Sequence, residues 1–133
     1  MDIDTICSFM HIVTMWIIEY TQEFEDWFSV QEEESKIAIN AKVIVLSEFG
    51  PQLGRPYVDT IHGSKYPNLK ELRVKCKNDV FRILFLFNKS RNCWLIIGGN
   101  KKGKNEEDFY KKLIKQAEEL IERNSEVLEG ENA

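Results

Sequence analysis

Only two histidines and three cysteines occur in the 133 residues, and none of them stand at metal-ligand spacing. Cys7, Cys76 and Cys93 are far apart and odd in number. That pattern predicts free thiols in a reducing compartment, not a disulfide framework or a thiolate metal centre. No metal and no cofactor is expected. Long apolar runs are missing too: stretches such as 83–87 and 94–97 fall far short of the roughly 20 residues that cross a bilayer. The first ten residues, MDIDTICSFM, carry acids where a secretory signal carries bases, so a cytoplasmic protein with no membrane association is expected. Nor is there a Ser-His-Asp pattern or a pair of carboxylates spaced for acid–base work. Proline is scarce and confined. Pro51, Pro56 and Pro67 share the stretch 51–68 with Gly54 and Gly63, which predicts a long irregular loop with one strand or turn near Tyr57 to Ile61.

Charge, by contrast, is plentiful and segregated. The formal net charge of −4 conceals three zones. Residues 1–50 hold ten acids and two bases, and residues 105–133 hold nine acids and four bases. Between them, residues 51–104 hold twelve bases and three acids. A basic segment flanked by acidic ones can build a focused positive surface on an acidic protein, or can simply pair with its flanks; both readings stand on charge alone.

The length suits one domain. WIIEY (16–20) reads as a strand, followed by Thr21 as a helix N-cap and an apolar stripe of Phe24, Trp27 and Phe28. Ser29 with Glu32 fits a capping box for a second helix, whose stripe is read as Ile37, Ala41, Ile44 and Val45, and which stops at Gly50-Pro51. Three strands follow: 70–76, which alternates, then 80–87 and 93–99, apolar on both faces. Short polar links make them an antiparallel meander. Asn105 caps a last helix with the stripe Phe109, Leu113, Ala117, Leu120 and Ile121. The order β, α, α, loop, three β, α is an α+β domain: an N-terminal strand and two helices, then a curved antiparallel sheet and a C-terminal helix.

Arg73 and Arg82 are the most informative pair. A two-residue turn at Lys77-Asn78 sets them directly opposite each other and matches the apolar faces of both strands. Opposed like charges are unfavourable on a sheet, which makes sense if a phosphate sits between them; guanidinium groups bind phosphate bidentately at any working pH. The alternative is that one arginine pairs with Glu71 or with an acid from a helix. The segment GGNKKGKN (98–105) imitates a phosphate loop through Gly98, Gly103 and Lys104. However, Asn105 stands where a magnesium-binding hydroxyl is needed, and Glu106, Glu107 and Asp108 stand where phosphate would lie. Lys101, Lys102 and Lys104 read better as a cationic rim for a nucleic-acid backbone. His62, in the long loop, is a candidate general acid or base, with a plain surface histidine as the alternative. His11 is expected to have no role.

Four segments together, FGPQLGRPYVDTIHGSKYPNLKELR (49–73), RILFLF (82–87), LIIGGNKKGK (95–104) and the helix at DFY (108–110), resemble HigB-like toxins of the RelE/ParE superfamily, the phage Gp49-related branch. WIIEYTQEFEDWF (16–28) resembles their first strand and helix. The resemblance implies a toxin domain over 15–124, with residues 1–14 an N-terminal extension and residues 125–133 an acidic, disordered tail. It also implies an endoribonuclease that cleaves messenger RNA on the ribosome without metal, restrained by an antitoxin of helix-turn-helix type. Arg73 and Arg82 match the family's sheet arginines, and Lys101 and Lys102 the basic end of the last strand. Lys102 or Lys101 then assists Arg73 and Arg82 at the scissile phosphate, and His62 and Tyr110 are the proton-transfer candidates. Arg55, Lys65, Lys70, Lys75, Lys101 and Lys104 are candidate RNA contacts. Asn100 departs from the aspartate common in similar proteins. Two other functions fit the same superfamily fold: ParE-like poisoning of DNA gyrase, and a non-catalytic RNA-binding regulatory module.

Overall fold

The computed structural model describes residues 15–125. The readings of Cys7, His11, the 1–14 extension and all but the first residue of the acidic tail lie outside the described residues. The elements run β1 (Ile17–Tyr20), α1 (Gln22–Ser29), α2 (Glu33–Phe49), a 3-10 turn (Gly50–Gln52), β2 (Val58–Thr60), β3 (Lys70–Cys76), β4 (Asp79–Phe87), β5 (Asn92–Asn100) and α3 (Glu106–Arg123). This is the expected α+β order. One five-stranded sheet carries it, in the order β1-β5-β4-β3-β2. β3, β4 and β5 form the expected antiparallel meander, and β2 adds to β3 antiparallel. The sheet is nevertheless mixed, because β1 pairs with β5 in parallel. Among the described residues no helix is long and apolar enough to cross a membrane.

Local signals account for most of the boundaries. Thr21 caps α1 by accepting from the Phe24 N–H at 3.0 Å, and its hydroxyl donates to the Ile96 carbonyl at 2.6 Å, tying the cap to β5. The Asn105 side chain caps α3 by accepting from the Asp108 N–H at 3.0 Å. The β3–β4 hairpin turns through Lys77 with φ +56°, a left-handed conformation that a two-residue turn needs at its first position.

The second helix differs from its sequence reading in two ways. Ser29 does not cap it; Ser29 ends α1, donating to the Asp26 carbonyl, and Glu32 stands at the N-cap with no side-chain cap bond. The stripe read as buried is not buried. Ile37 is 63% exposed and Ile44 55%, Ala41 is exposed and Val45 is half-buried, while Ile39, Leu46, Ser35 and Ser47 face the sheet. Apolar residues surround this helix, so periodicity could not choose a face.

Two apolar layers sandwich the sheet. On one side α1 and α2 press Phe24, Ile39 and Leu46 onto Leu72, Val74, Phe81, Ile83 and Phe85. On the other, α3 lays Phe109, Leu113, Ala117, Leu120 and Ile121 over Leu84, Leu86, Ile96 and Ile97. Helix approach is close at β5. A Cβ on Gly98 would come within 2.4 Å of the Trp27 ring, and one on Gly99 within 3.1 Å of Phe109. α3 shields only part of its face. Where its cover ends, β3 and β4 present Glu71, Arg73, Lys75 and Arg82 instead of apolar side chains.

Candidate functional site

Arg73 and Arg82 are directly opposite each other in the β3–β4 register, as the sequence reading has them. What lies between them is the protein's own anion. Glu71 is 3% exposed. Its Oε2 accepts from Arg73 Nε at 2.9 Å, and its Oε1 accepts from the Tyr110 hydroxyl at 2.6 Å and lies 3.6 Å from Arg82 Nε. Arg82 Nε in turn donates to the Tyr110 oxygen at 3.0 Å, and its Nη1 to the Phe81 carbonyl at 3.0 Å. The pairing with Glu71, left open by the sequence, is therefore part of the arrangement. It answers how two guanidiniums can face each other on a sheet: one buried carboxylate serves both. Asp59 of β2 extends the network, its Oδ2 taking Arg73 Nη2 at 3.3 Å and Arg55 Nη2 at 2.9 Å.

Tyr110 sits at the centre of the cluster. Burial, then its hydrogen bond to Glu71, pushes its hydroxyl up to about 12, against the opposing pull of Arg82. It is a neutral phenol at physiological pH, a group that can give a proton but cannot take one.

Glu71, Arg73 and Tyr110 form one wall of an open cleft of about 990 Å³ between β2–β3, the 59–63 segment and the first turns of α3, where Glu106, Glu107 and Asp108 add negative charge; Arg82 does not line it. His62, Lys101 and Tyr110 line it together with Arg73 and Glu71. Lys101 Nζ bonds Glu106 at 2.9 Å and stands 5.6 Å over the Tyr110 ring; this pairing holds the Glu106 carboxyl below the usual carboxylate range. His62 is exposed.

The remaining expected residues divide. Lys75 is exposed on the Arg73 side of β3. Lys102 is exposed on the β5–α3 loop beside Lys101. Lys104 lines a second groove of about 580 Å³, with Trp27 and Lys112, on the other flank of the α3 N-terminus. Lys70 shares its side of β3 with Leu72 and Val74 and so points away from the arginines. Lys65 pairs with Glu122 while its backbone N–H bonds Glu118, fastening the long loop to the C-terminal half of α3. Asn100 is committed to structure. Its Oδ1 accepts from the Val80 and Lys102 N–H groups and its Nδ2 donates to Asp79 at 2.9 Å. An aspartate there would face Asp79, charge against charge.

The sequence names Glu71 only as an alternative partner for one arginine, and it does not bring Asp59 into the site. The alternation of β3 puts Glu71 on the Arg73 side, which was legible. That Tyr110 would close over it, thirty-nine residues later, was not.

The model of the family described as phage-derived protein Gp49-like (DUF891) matches residues 26–122. The chain belongs to this family. It is 38% identical over 96 residues to HigB2 of Mycobacterium tuberculosis, a protein named as a toxin, covering 71% of this chain and 47% of that one. It is 36% identical over 81 residues to HigB3 of the same organism, also named as a toxin, covering 61% and 69%. The chain thus spans about half the length of the HigB2 relative. Its fold is that of RelE proteins. It superposes with TM-score 0.51 and 12% identity on a chain of the archaeal RelE–RelB complex from Pyrococcus horikoshii, covering 68% of this chain and 99% of that one. With the free E. coli toxin RelE, in an arginine-substituted form, the TM-score is 0.54 at 9% identity, covering 82% and 97%. The HigB-like family member therefore carries its guanidinium–carboxylate–phenol cluster on a RelE fold.

Proposed function

We propose that this HigB-like protein is the toxin of a type II toxin–antitoxin pair, an endoribonuclease that cleaves messenger RNA on the ribosome, in the cytoplasm, without a metal ion. The observation that supports this most directly is the Arg73–Glu71–Tyr110–Arg82 cluster, which reaches an open cleft through Glu71, Arg73 and Tyr110. In this reading the 2′-hydroxyl oxygen of RNA attacks its own phosphorus and the bond from phosphorus to the 5′-oxygen breaks, leaving a 2′,3′-cyclic phosphate. His62 takes the 2′-hydroxyl proton. Tyr110, neutral at working pH, gives a proton to the departing 5′-oxygen. Arg73 and Arg82, with Lys101 and Lys102, balance the charge that grows on the phosphate. Arg55, Lys75 and Lys104 guide the strand toward the cleft.

A partner follows from the same reading. The archaeal RelE neighbour is in complex with RelB, and in this reading an antitoxin, here of helix-turn-helix type, covers the open cleft that Arg73 and Lys101 share with several carboxylates. The deciding experiment is a translation reaction from purified components. Messenger RNA cut at defined positions only with ribosomes, by protein first stripped with EDTA and then returned to the magnesium-containing reaction, supports every part of the reading. Stabilised gyrase–DNA breaks with intact RNA would replace it with gyrase poisoning, and salt-dependent RNA binding without cleavage would replace it with a regulatory module.

A further inference from the structure

We infer that Asp59 is a positioning residue, one that fixes the Arg73 guanidinium for phosphate; this rests on the ribonuclease reading above. The geometry of one side chain carries the inference. A guanidinium offers five N–H donors in a rigid plane. Arg73 uses Nε on Glu71 Oε2 at 2.9 Å and Nη2 on Asp59 Oδ2 at 3.3 Å. Two carboxylates from neighbouring strands thus hold one edge of the plane, and the donors of the other edge remain for the cleft. Glu71 alone would leave the group held at a single nitrogen, free to swing. Arg73 needs that restraint more than Arg82, since its side chain is 37% exposed and that of Arg82 only 11%.

Asp59 occupies a position that simple electrostatics disfavours. It is directly opposite Glu71 in the β2–β3 register, so two carboxylates face each other beside two facing arginines. It also lines the cleft that must accept a polyanion. Its Oδ1 accepts from the Thr60 N–H at 2.9 Å, which sets the rotamer, and the hydrogen bond from Arg55 leads the causes that hold its carboxyl below the usual range. The group is therefore charged at neutral pH, and its Oδ2 is shared between Arg55 at 2.9 Å and Arg73 at 3.3 Å. A negative charge so placed either repels substrate, and its removal speeds cleavage, or orients Arg73, and its removal slows cleavage. The two-edged hold on Arg73 selects the second.

The test compares full-length wild type, Asp59→Asn and Asp59→Glu for melting temperature, RNA affinity, single-turnover cleavage, and hydrogen exchange of the Arg73 Nε–H by NMR. Asp59→Asn should melt within a few degrees of wild type and bind RNA with similar affinity, yet cleave on the order of tenfold to a hundredfold more slowly, as expected when a reacting-centre contact is misaligned. Its Arg73 Nε–H should exchange faster. Asp59→Glu, which keeps the charge, should recover part of the rate. Cleavage by Asp59→Asn at or above the wild-type rate would overturn the assignment and leave the ribonuclease reading intact, as would a rate that falls only in proportion to lost folded protein. Absence of cleavage by wild type itself would remove both, and the wild-type reaction reports that case separately.

Discussion

The two faces of the sheet obey different rules, and adjacent residues of β4 show it. Ile83 points to the α1–α2 face, is fully buried, and contributes to a layer built mainly of apolar side chains. Arg82 points to the α3 face, where the apolar layer ends and a buried carboxylate, a phenol and two guanidiniums take over. The first face is closed by two helices. The second is closed by one helix that lies over β5 and β4 and reaches β3 through Tyr110. Burial of apolar area supplies stability on the closed face. On the half-open face the polar groups are held by one another, which is what a site needs, and they return less stability for their burial.

Paired substitutions at 82 and 83 test that division with the largest expected effects. Ile83→Ala should cost about 2–5 kcal/mol of stability by emptying a packed site, while cleavage per folded molecule stays near wild type. If the proposed ribonuclease reading holds, Arg82→Ala should lower cleavage on the order of a hundredfold or more, because it would remove a charge-assisted contact at the reacting centre. Combining it with Arg73→Ala should add less than the product of the two, since both act on one phosphate. Lysine at 82 should restore little, a point charge being unable to reach both the Tyr110 oxygen and the Phe81 carbonyl with guanidinium geometry. Opposed like charges, considered alone, would make Arg82→Ala stabilising. The structure reverses that sign: Glu71 would lose one of its two cations, and a modest loss, about 1–3 kcal/mol, is expected. Melting curves and cleavage rates on the same purified variants decide it. An Arg82→Ala protein that melts higher than wild type would show that the arginines repel more than Glu71 binds them.

The same contrast explains what could be read in the sequence. The strands of the meander, the caps at Thr21 and Asn105 and the α3 stripe were legible because each is a local signal: alternation, an N-cap side chain, a 3.6-residue period. The facing of Arg73 and Arg82 was legible because a short turn and two apolar patterns fix one register. The parallel pairing of β1 with β5 was not, since seventy-five residues separate Ile17 from Asn92 and nothing local encodes the choice. The buried face of α2 was not, because Ile37 and Ile44 are as apolar as Ile39 and Leu46. Within the site, residue types on β3 and β4 could be nominated, but the fact that an acid and a phenol complete them depends on where α3 crosses the sheet.

A smaller effect separates the lysines. Lys102 is exposed beside the cleft, whereas Lys65 pairs with Glu122 on the far part of the long loop. If the uncovered half of the face is the RNA surface, Lys102→Ala should reduce the slope of log affinity against log salt by roughly one unit, the value for one lost phosphate contact. Lys65→Ala should leave that slope unchanged and loosen the 61–69 loop instead. Binding titrations at several salt concentrations distinguish them, and equal slope changes for both would extend the RNA surface across the loop.

The smallest effect is a pH dependence that belongs to the half-open face alone. The Tyr110 hydroxyl is raised from its ordinary value near 10 to about 12, by burial first and by Glu71 second. In the unfolded chain a tyrosine ionises near pH 10, while in the folded protein Tyr110 keeps its proton until about 12. Between those values the unfolded state gains stability by losing a proton that the folded state retains. The contribution of Tyr110 is thus fully present below pH 10 and is lost as pH rises toward 12. Tyr66 and Lys65 also carry raised values, so the wild-type curve alone cannot isolate this term. The difference between wild type and Tyr110→Phe can. Denaturant melts from pH 8 to 12 should show wild type losing its advantage over Tyr110→Phe across that upper window, with a constant gap below it. A gap that stays constant through pH 12 would mean that Tyr110 titrates alike in both states, and the claim that Glu71 and burial hold its proton would fail.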